Sequence, residues 1–273
     1  MTSNKPRTKI ILTITSLALA LIWLSPFYLM LVNAFKTKFD IFSSVLSLPS
    51  EWQFDNFIQA FNDLDFLNSL ANSFIVTFIS ILIIIVFSSM AAYALARNKS
   101  RLSGVIFLVF VAAMLIPFQS VMIPLISIFG QLDMLNTSGL IYMYLGFGSS
   151  LSIFLYHGAV KGIPASLDEA AMIDGASRWK IFWRIIFPML KPVTVTVMIL
   201  NVIWIWNDYL LPSLVLSQRY ATIPLRMFFF FGQYTKQWHL ALAGLTLAII
   251  PVIILYFFAQ KEIIEGVAEG AVK

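Results

Sequence analysis

This chain of 273 residues is 60% apolar and only 11% charged, with a mean hydropathy of +0.88, 25 Phe and 7 Trp. Soluble domains are close to half apolar and about a quarter charged, so the composition excludes a water-soluble globule and marks an integral membrane protein. With no cysteine the chain has neither disulfides nor thiolate metal sites, and its net charge of +5 follows from topology, leaving no basic patch for a nucleic acid.

Uncharged runs from Ile10 to Phe35, Phe66 to Ala96, Leu102 to Leu132, Met134 to Val160 and Gln237 to Gln260 each exceed the roughly 20 residues that cross a hydrocarbon core as a helix. A sixth run, Pro192 to Val215, contains one acid, Asp208. A carboxylate at mid-bilayer costs about 2.5 to 3.5 kcal/mol, so Asp208 belongs near a membrane face or beside a wet cavity. The chain therefore reads as one all-α transmembrane domain over 1–273. Its six predicted spans cover approximately 10–35, 70–95, 104–130, 137–159, 193–213 and 239–260. Ala18-Leu19-Ala20 resembles a signal-peptidase site, but the apolar run continues to Phe35, beyond the roughly 7 to 15 residues of a signal core, and the first span is predicted to be retained.

Orientation follows from Lys and Arg. With the N-terminus inside, the cytoplasmic side holds Lys5, Arg7, Lys9, Arg97, Lys99, Arg101, the five bases from Lys161 to Lys191, Lys261 and Lys273, which is 13 of the 18 basic residues. Both termini and the segment 161–191 are thus expected in the cytoplasm. Between the first two spans, Phe57, Ile58, Phe61 and Leu64 recur at helical spacing on Asp55 to Phe66. That pattern predicts a helix along the outer membrane surface, and no chemistry is assigned to it.

Between Lys161 and Lys191 eight charged side chains gather in 31 positions. Pro164 breaks the preceding helix, and Ser166 followed three residues later by Glu169 has the spacing of a capping box that starts a new one. Asp174-Gly175 is a turn signal that ends it. A second helix is expected from Ser177 to Phe187, before Pro188, with Trp179, Phe182, Trp183, Ile185 and Ile186 on an apolar face. Two short helices joined at a glycine read either as an interfacial hairpin or as a docking element for a soluble partner, in which Ala170 and Ala171 allow close approach and Glu169 offers an acid.

Glu169-Ala170-Ala171, Asp174-Gly175-Ala176, Phe182, Ile185 and Phe187-Pro188 resemble the EAA loop of permease subunits in binding-protein-dependent ATP-binding-cassette (ABC) importers, with Phe187 standing where the pattern has leucine. Asn68-Ser69-Leu70, the stretch Ala91 to Arg97, Trp206-Asn207-Asp208 with Pro212, and the closing Gly270 to Lys273 are similar to the carbohydrate branch, the maltose-type permeases of the MalG-like kind. The resemblance implies a type I ABC importer permease fold with a cytoplasmic coupling helix. It implies a sugar or oligosaccharide importer whose partners are a second permease, giving a heterodimer, an ATPase dimer that binds ATP and Mg, and an extracytoplasmic sugar-binding protein. It also implies a multi-pass place in a bacterial or archaeal cell membrane. In such importers the coupling helix sits in a groove on the ATPase, so Glu169, Ala170, Ala171, Asp174, Gly175 and Ala176 would receive the push. No Gly-Lys dipeptide occurs, so the Walker A motif is missing and the energy source is a different chain.

The tail 261–273 ends in Gly270, Ala271, Val272 and Lys273, which resemble a segment that family members insert between ATPase subunits. Glu262-Ile263-Ile264-Glu265 departs from the basic, aromatic character of that segment, and a solvated helix end is the other reading. For the substrate path the candidates are Gln119, Tyr142, Asn201, Trp206, Asn207 and Asp208, with Tyr144 as a further stacking surface, because a polar group facing lipid is costly. Helix-helix hydrogen bonding is the alternative for each. No paired carboxylates, Ser/His/Asp set or metal-ligand spacing argues for catalysis, and none is assigned. His157 and His239 fall at opposite predicted membrane ends and are read as structural. A gradient-driven carrier would need ionisable groups at mid-membrane, and the five uncharged runs have no Asp, Glu, Lys or Arg. A membrane scaffold without transport would leave the polar loop unexplained.

Overall fold

The computed structural model describes residues 6–231 and 236–271. Helices follow one another as α1 (Pro6–Ala34), α2 (Lys38–Ser43), α3 (Asp55–Asp63), α4 (Phe66–Arg97), α5 (Arg101–Ala113), α6 (Phe118–Gln131), α7 (Thr137–Gly162), α8 (Ser166–Ile173) and α9 (Arg178–Ile181). After a π-helical turn at Phe182–Ile186 come α10 (Phe187–Met189), α11 (Lys191–Asn207), α12 (Leu210–Val215), α13 (Ile223–Met227) and α14 (Trp238–Ala271). An isolated bridge between Phe231 and Lys236 is the only β pairing among the described residues.

Three helices are long and apolar enough to cross a bilayer unaided, over Lys9–Ala34, Phe66–Arg97 and Thr137–Gly162. The run expected as a single third span is instead two helices, α5 and α6, meeting at 104°. Pro117 explains the break, because it has no N–H and holds the residue before it extended. The amides of Met114, Leu115 and Ile116 reach back only three residues, to Val111, Ala112 and Ala113 (3.0–3.3 Å), closing α5 with a tight turn. The predicted span 193–213 is entered through a 75° bend between Arg178–Met189 and Lys191–Asn207. It then stops at Asn207, short of the expected 213, and resumes as α12. The apolar described part of α14 is Trp238–Ile254.

The chain divides into two compact units. One takes Met1–Phe66 and Arg226–Ile254. In it α1 is exposed from Lys9 to Tyr28, half-buried at Leu29 and Met30, and buried only at Val32, Asn33 and Ala34. Beyond those residues the chain folds back on itself: Phe35 is ringed by Trp52, Phe54 and Phe57 at centroid distances of 5.2, 5.3 and 4.7 Å. Asn56 donates to the carbonyls of Ala34 and Lys36 (2.8 and 2.9 Å), so the buried edge of α3 is Asn56, Ala60 and Leu64, one turn apart. Of the apolar stripe read from sequence, Leu64 belongs to that buried edge and Phe57 is half-buried, while Ile58 and Phe61 are exposed, so only part of the stripe packs within the chain. Lys36 is 0% exposed and its Nζ donates to the Ser44 carbonyl at 2.7 Å. Burial pushes its ammonium below the usual range, against the opposing pull of Asp40.

The other unit takes Leu67–Leu225 and Leu255–Lys273. Helix α7 is its axis, with α5, α11 and α12 packed on it. The packed side of α7 is rich in small residues, including Gly148, Ser149, Ser150 and Ser152, beside Leu140, Met143, Ile153, Tyr156 and Val160. Small residues let apolar helices approach closely, and the hydroxyls of Ser149 and Ser152 donate to carbonyls one turn back, Ser152 to Gly148 at 2.7 Å. A Cβ at Gly148 would stand 2.5 Å from Ile84 Cδ1 and 2.8 Å from Asn201 Oδ1, so α4, α7 and α11 meet there with no spare room.

Candidate functional site

At the end of α7 the Ile163 backbone is extended before Pro164, and Ala165 turns the chain into α8. The helix starts at Ser166 as its sequence suggests, but the expected capping box does not form. Ser166 is already helical, Ala165 is the cap, and the amides of Asp168 and Glu169 turn to the Ala165 carbonyl at 3.0 and 3.1 Å. The other end closes as a glycine motif. Gly175 has φ +79°, the Ala176 amide donates to Ala171 O at 2.9 Å and the Gly175 amide to Met172 O at 3.0 Å. The local sequence thus sets both ends of a two-turn rod.

That rod is two-faced. Asp168 and Ala171, three residues apart, are buried against the unit, whereas Leu167, Glu169, Ala170, Met172 and Ile173 are exposed, Ile173 by 87%. Of the six residues read as coupling residues, Glu169, Ala170, Asp174 and Gly175 face outward, Ala176 is half-buried and Ala171 is packed inward. Four apolar or small side chains thus surround one acid on an exposed face of α8.

The inward face carries a constellation that sequence reading did not single out. Asp168 Oδ1 accepts from the Tyr93 hydroxyl at 2.5 Å, and Asp168 Oδ2 lies 2.8 Å from Arg97 Nη2. The latter contact is an ion pair by distance without the alignment of a hydrogen bond. Arg97 Nη1 donates to the carbonyls of Val160 and Ile163 at 3.3 and 3.0 Å. A guanidinium thus sits on the last carbonyls of α7 at the C-terminal end of α4, while a carboxylate occupies the first turn of α8. Each charge matches the helix ends it faces. The sequence signal was available: Tyr93 and Arg97 are one turn apart at the close of a long apolar run, and Asp168 is the acid beside Glu169.

The second helix, expected from Ser177, begins one residue later: Ser177 is the cap of α9, its hydroxyl accepting from the Lys180 amide at 3.4 Å, and Arg178 is the first helical residue. It does not end before Pro188. The chain widens into a π turn in which the Phe187 amide reaches Phe182 O, five residues back, and continues through Pro188 to Met189. Pro188 has no N–H for the next helical bond, and widening the turn accommodates the missing donor. An open pocket of about 150 Å³ between α4 and this segment is lined by Met90, Tyr93, Arg178, Trp179 and Phe182.

The residues read as a substrate path are scattered. Gln119 and Tyr142 are exposed, with Tyr142 tilted against Phe129 at 6.1 Å. Asn201 is buried and donates to Ser152 Oγ of α7 at 3.2 Å, a helix-helix bond, and to Val197 O of its own helix at 2.8 Å. Trp206 meets Phe74 edge-on at 5.1 Å, and Asn207 donates to Ile203 O. Asp208 lies where α11 stops: Oδ1 accepts from the Leu210 amide at 2.9 Å and Oδ2 from Tyr144 at 2.9 Å. Among the described residues, none of the six candidates bonds to another of the six. His157 stacks on Phe107 at 3.8 Å. Among the described residues no three His, Asp or Glu side chains gather to hold a metal. Of the tail residues, Gly270 and Ala271 end the backbone of α14, and Val272 and Lys273 lie outside the described residues.

Residues 84–267 match the family described as "Binding-protein-dependent transport system inner membrane component". The chain belongs to this family. As an inner membrane transport component it is a transport subunit and not an enzyme. It is 55% identical over 266 residues to the probable starch degradation products transport system permease protein AmyC of Thermoanaerobacterium thermosulfurigenes, covering 97% of each chain. It is 36% identical over 276 residues to the melibiose/raffinose/stachyose import permease protein MelC of Bacillus subtilis, covering 100% of both. A solved bacterial ABC transporter involved in the import of the acidic polysaccharide alginate superposes with a TM-score of 0.77 over 96% of this chain and 99% of that one. At 23% identity that likeness is one of fold, and it gives this transport component the all-helical architecture of an ABC importer subunit.

Proposed function

We propose that this chain is one of two membrane-spanning permease subunits of an ATP-driven sugar or oligosaccharide importer. The observation that carries the reading is the 55% identity, along nearly the whole of both chains, to a permease for starch degradation products. The second named relative, a permease for melibiose, raffinose and stachyose, supports the same substrate class. Six spans, with both termini and α8 in the cytoplasm, follow from the excess of Lys and Arg on that side. ATP and Mg are handled by a separate ATPase dimer, since the chain has no Walker A motif. A different second permease and an extracytoplasmic sugar-binding protein complete the assembly, and that binding protein selects the sugar.

Helix α8 is the part that meets the ATPase. Its exposed Leu167, Glu169, Ala170, Met172 and Ile173 enter a groove on the ATPase, which closes around ATP and pushes the helix. The tail residues Gly270, Ala271, Val272 and Lys273 are a second ATPase contact in this reading. Reconstitution in vesicles with the partner permease, ATPase and binding protein tests it: ATP-dependent uptake of maltotriose or raffinose is expected. Uptake driven by an ion gradient without ATP would overturn it. Glu169→Lys places a cation on the docking face, and it should lower both ATPase affinity and uptake about tenfold or more, the cost of a like-charge or unpaired contact in an interface.

A further inference from the structure

The chain links α8 directly to α7 through Ile163–Ala165 and to α9 through Asp174–Ser177. Helix α4 is not its neighbour in sequence, for Tyr93 and Asp168 are 75 positions apart. Yet Asp168, on the buried face of α8, is held by α4. We propose that Arg97, Asp168 and Tyr93 form a clasp that joins α8 to the ends of α4 and α7, so that a displacement of α8 is carried into α4 as well as along the chain into α7. This deepens the importer reading and rests on it, for it names the residues through which a push on α8 reaches the membrane helices.

Three observations converge on the clasp. First, Asp168 is 6% exposed, and both of its oxygens meet groups of α4. A buried carboxylate whose partners all lie on one element cannot leave that element without stranding a charge, so the two helices move together. Second, Arg97 divides its fork between α8 and the terminal carbonyls of α7, which a lysine, as a point charge on a single nitrogen, could not reproduce. Third, Tyr93 also tilts against Phe182 at 5.4 Å, so the clasp touches the π turn that leads towards α11. Helix α4 runs 32 residues from Arg97, long enough to carry a rotation at one end across the bilayer. Such a connection counts as coupling only if it biases a measurable motion, and that decides the test.

The test uses the assembled complex of permeases and ATPase, and it exploits the cysteine-free sequence. A spin label on Leu67→Cys, at the exposed far end of α4, reports its displacement on ATP binding, with no need to know the sugar. Wild type is expected to show the displacement. Asp168→Asn, which sets an amide donor against the guanidinium, should abolish it and lower maltotriose or raffinose uptake per ATP hydrolysed about tenfold, a usual size for coupling between sites, with assembly intact. Tyr93→Phe removes a single hydroxyl and should lower the ratio about threefold. Asp168→Glu restores the carboxylate and should recover most of it. A label that still moves in assembled Asp168→Asn overturns the clasp, as does a loss confined to the amount of complex formed. If Asp168→Asn does not assemble, Tyr93→Phe decides: a wild-type ratio and displacement overturn the clasp. Absence of displacement in a wild-type complex that takes up sugar with ATP also overturns the clasp, whereas a wild-type complex without ATP-driven uptake overturns the importer reading.

Discussion

Gly146 and Gly148 stand two residues apart on α7, yet their surroundings differ. A methyl group at Gly146 meets nothing within 4 Å, whereas at Gly148 it collides with Ile84 and the Asn201 amide. Gly148→Ala is therefore expected to destabilise the chain by about 1 to 3 kcal/mol, the usual cost of overpacking. Gly146→Ala should be neutral or stabilise by up to about 1 kcal/mol through helix propensity. Melting temperatures of the two variants in one detergent check the contrast. Legibility at this scale divides in the same way. The turn at Asp174-Gly175 was readable because a single local rule, the left-handed helix end that favours glycine, decides it. The inward turn of Asp168 was not. It depends on Tyr93 and Arg97, and no local pattern announces a partner 75 positions away.

At the scale of the element, apolar runs marked the long helices well, because the bilayer length sets a threshold that any such run must pass. They did not show where a run bends. The α5–α6 angle rests on Pro117 and the π turn on Pro188, and a proline in an apolar run elsewhere leaves the helix continuous, as Pro26 does in α1 and Pro124 in α6. Which outcome follows depends on packing that the sequence does not display. The segment after α1 shows the same limit. Two lysines, Lys36 and Lys38, looked alike in sequence, but Lys36 is buried with its ammonium on the Ser44 carbonyl while Lys38 faces outward. An amine-directed reagent at pH 8, followed by peptide mass analysis, should label Lys38 readily and leave Lys36 intact. Its lowered pKa favours the reactive neutral amine, but burial denies the reagent access.

For the molecule as a whole, fold class and family followed from properties that sum over many residues: mean hydropathy, the spacing of apolar runs and the order of several motifs. The substrate path did not, since a polar side chain between helices serves packing as readily as transport, and Asn201 is engaged in packing. Orientation is testable with single cysteines in the cysteine-free chain. Glu51→Cys should react with an impermeant maleimide on intact cells, and Lys99→Cys only after the membrane is opened; both positions are exposed. The reverse pattern would invert the assigned topology. Asp168 and Glu169 are adjacent acids that point to opposite sides, one fastened within the subunit and the other free for a partner. If α8 docks on the ATPase as proposed, choice of motor and response to it are written on separate sides of the same eight residues. Permeases of this kind could be regrafted onto foreign ATPases by exchanging outward side chains alone, leaving the inner transmission untouched.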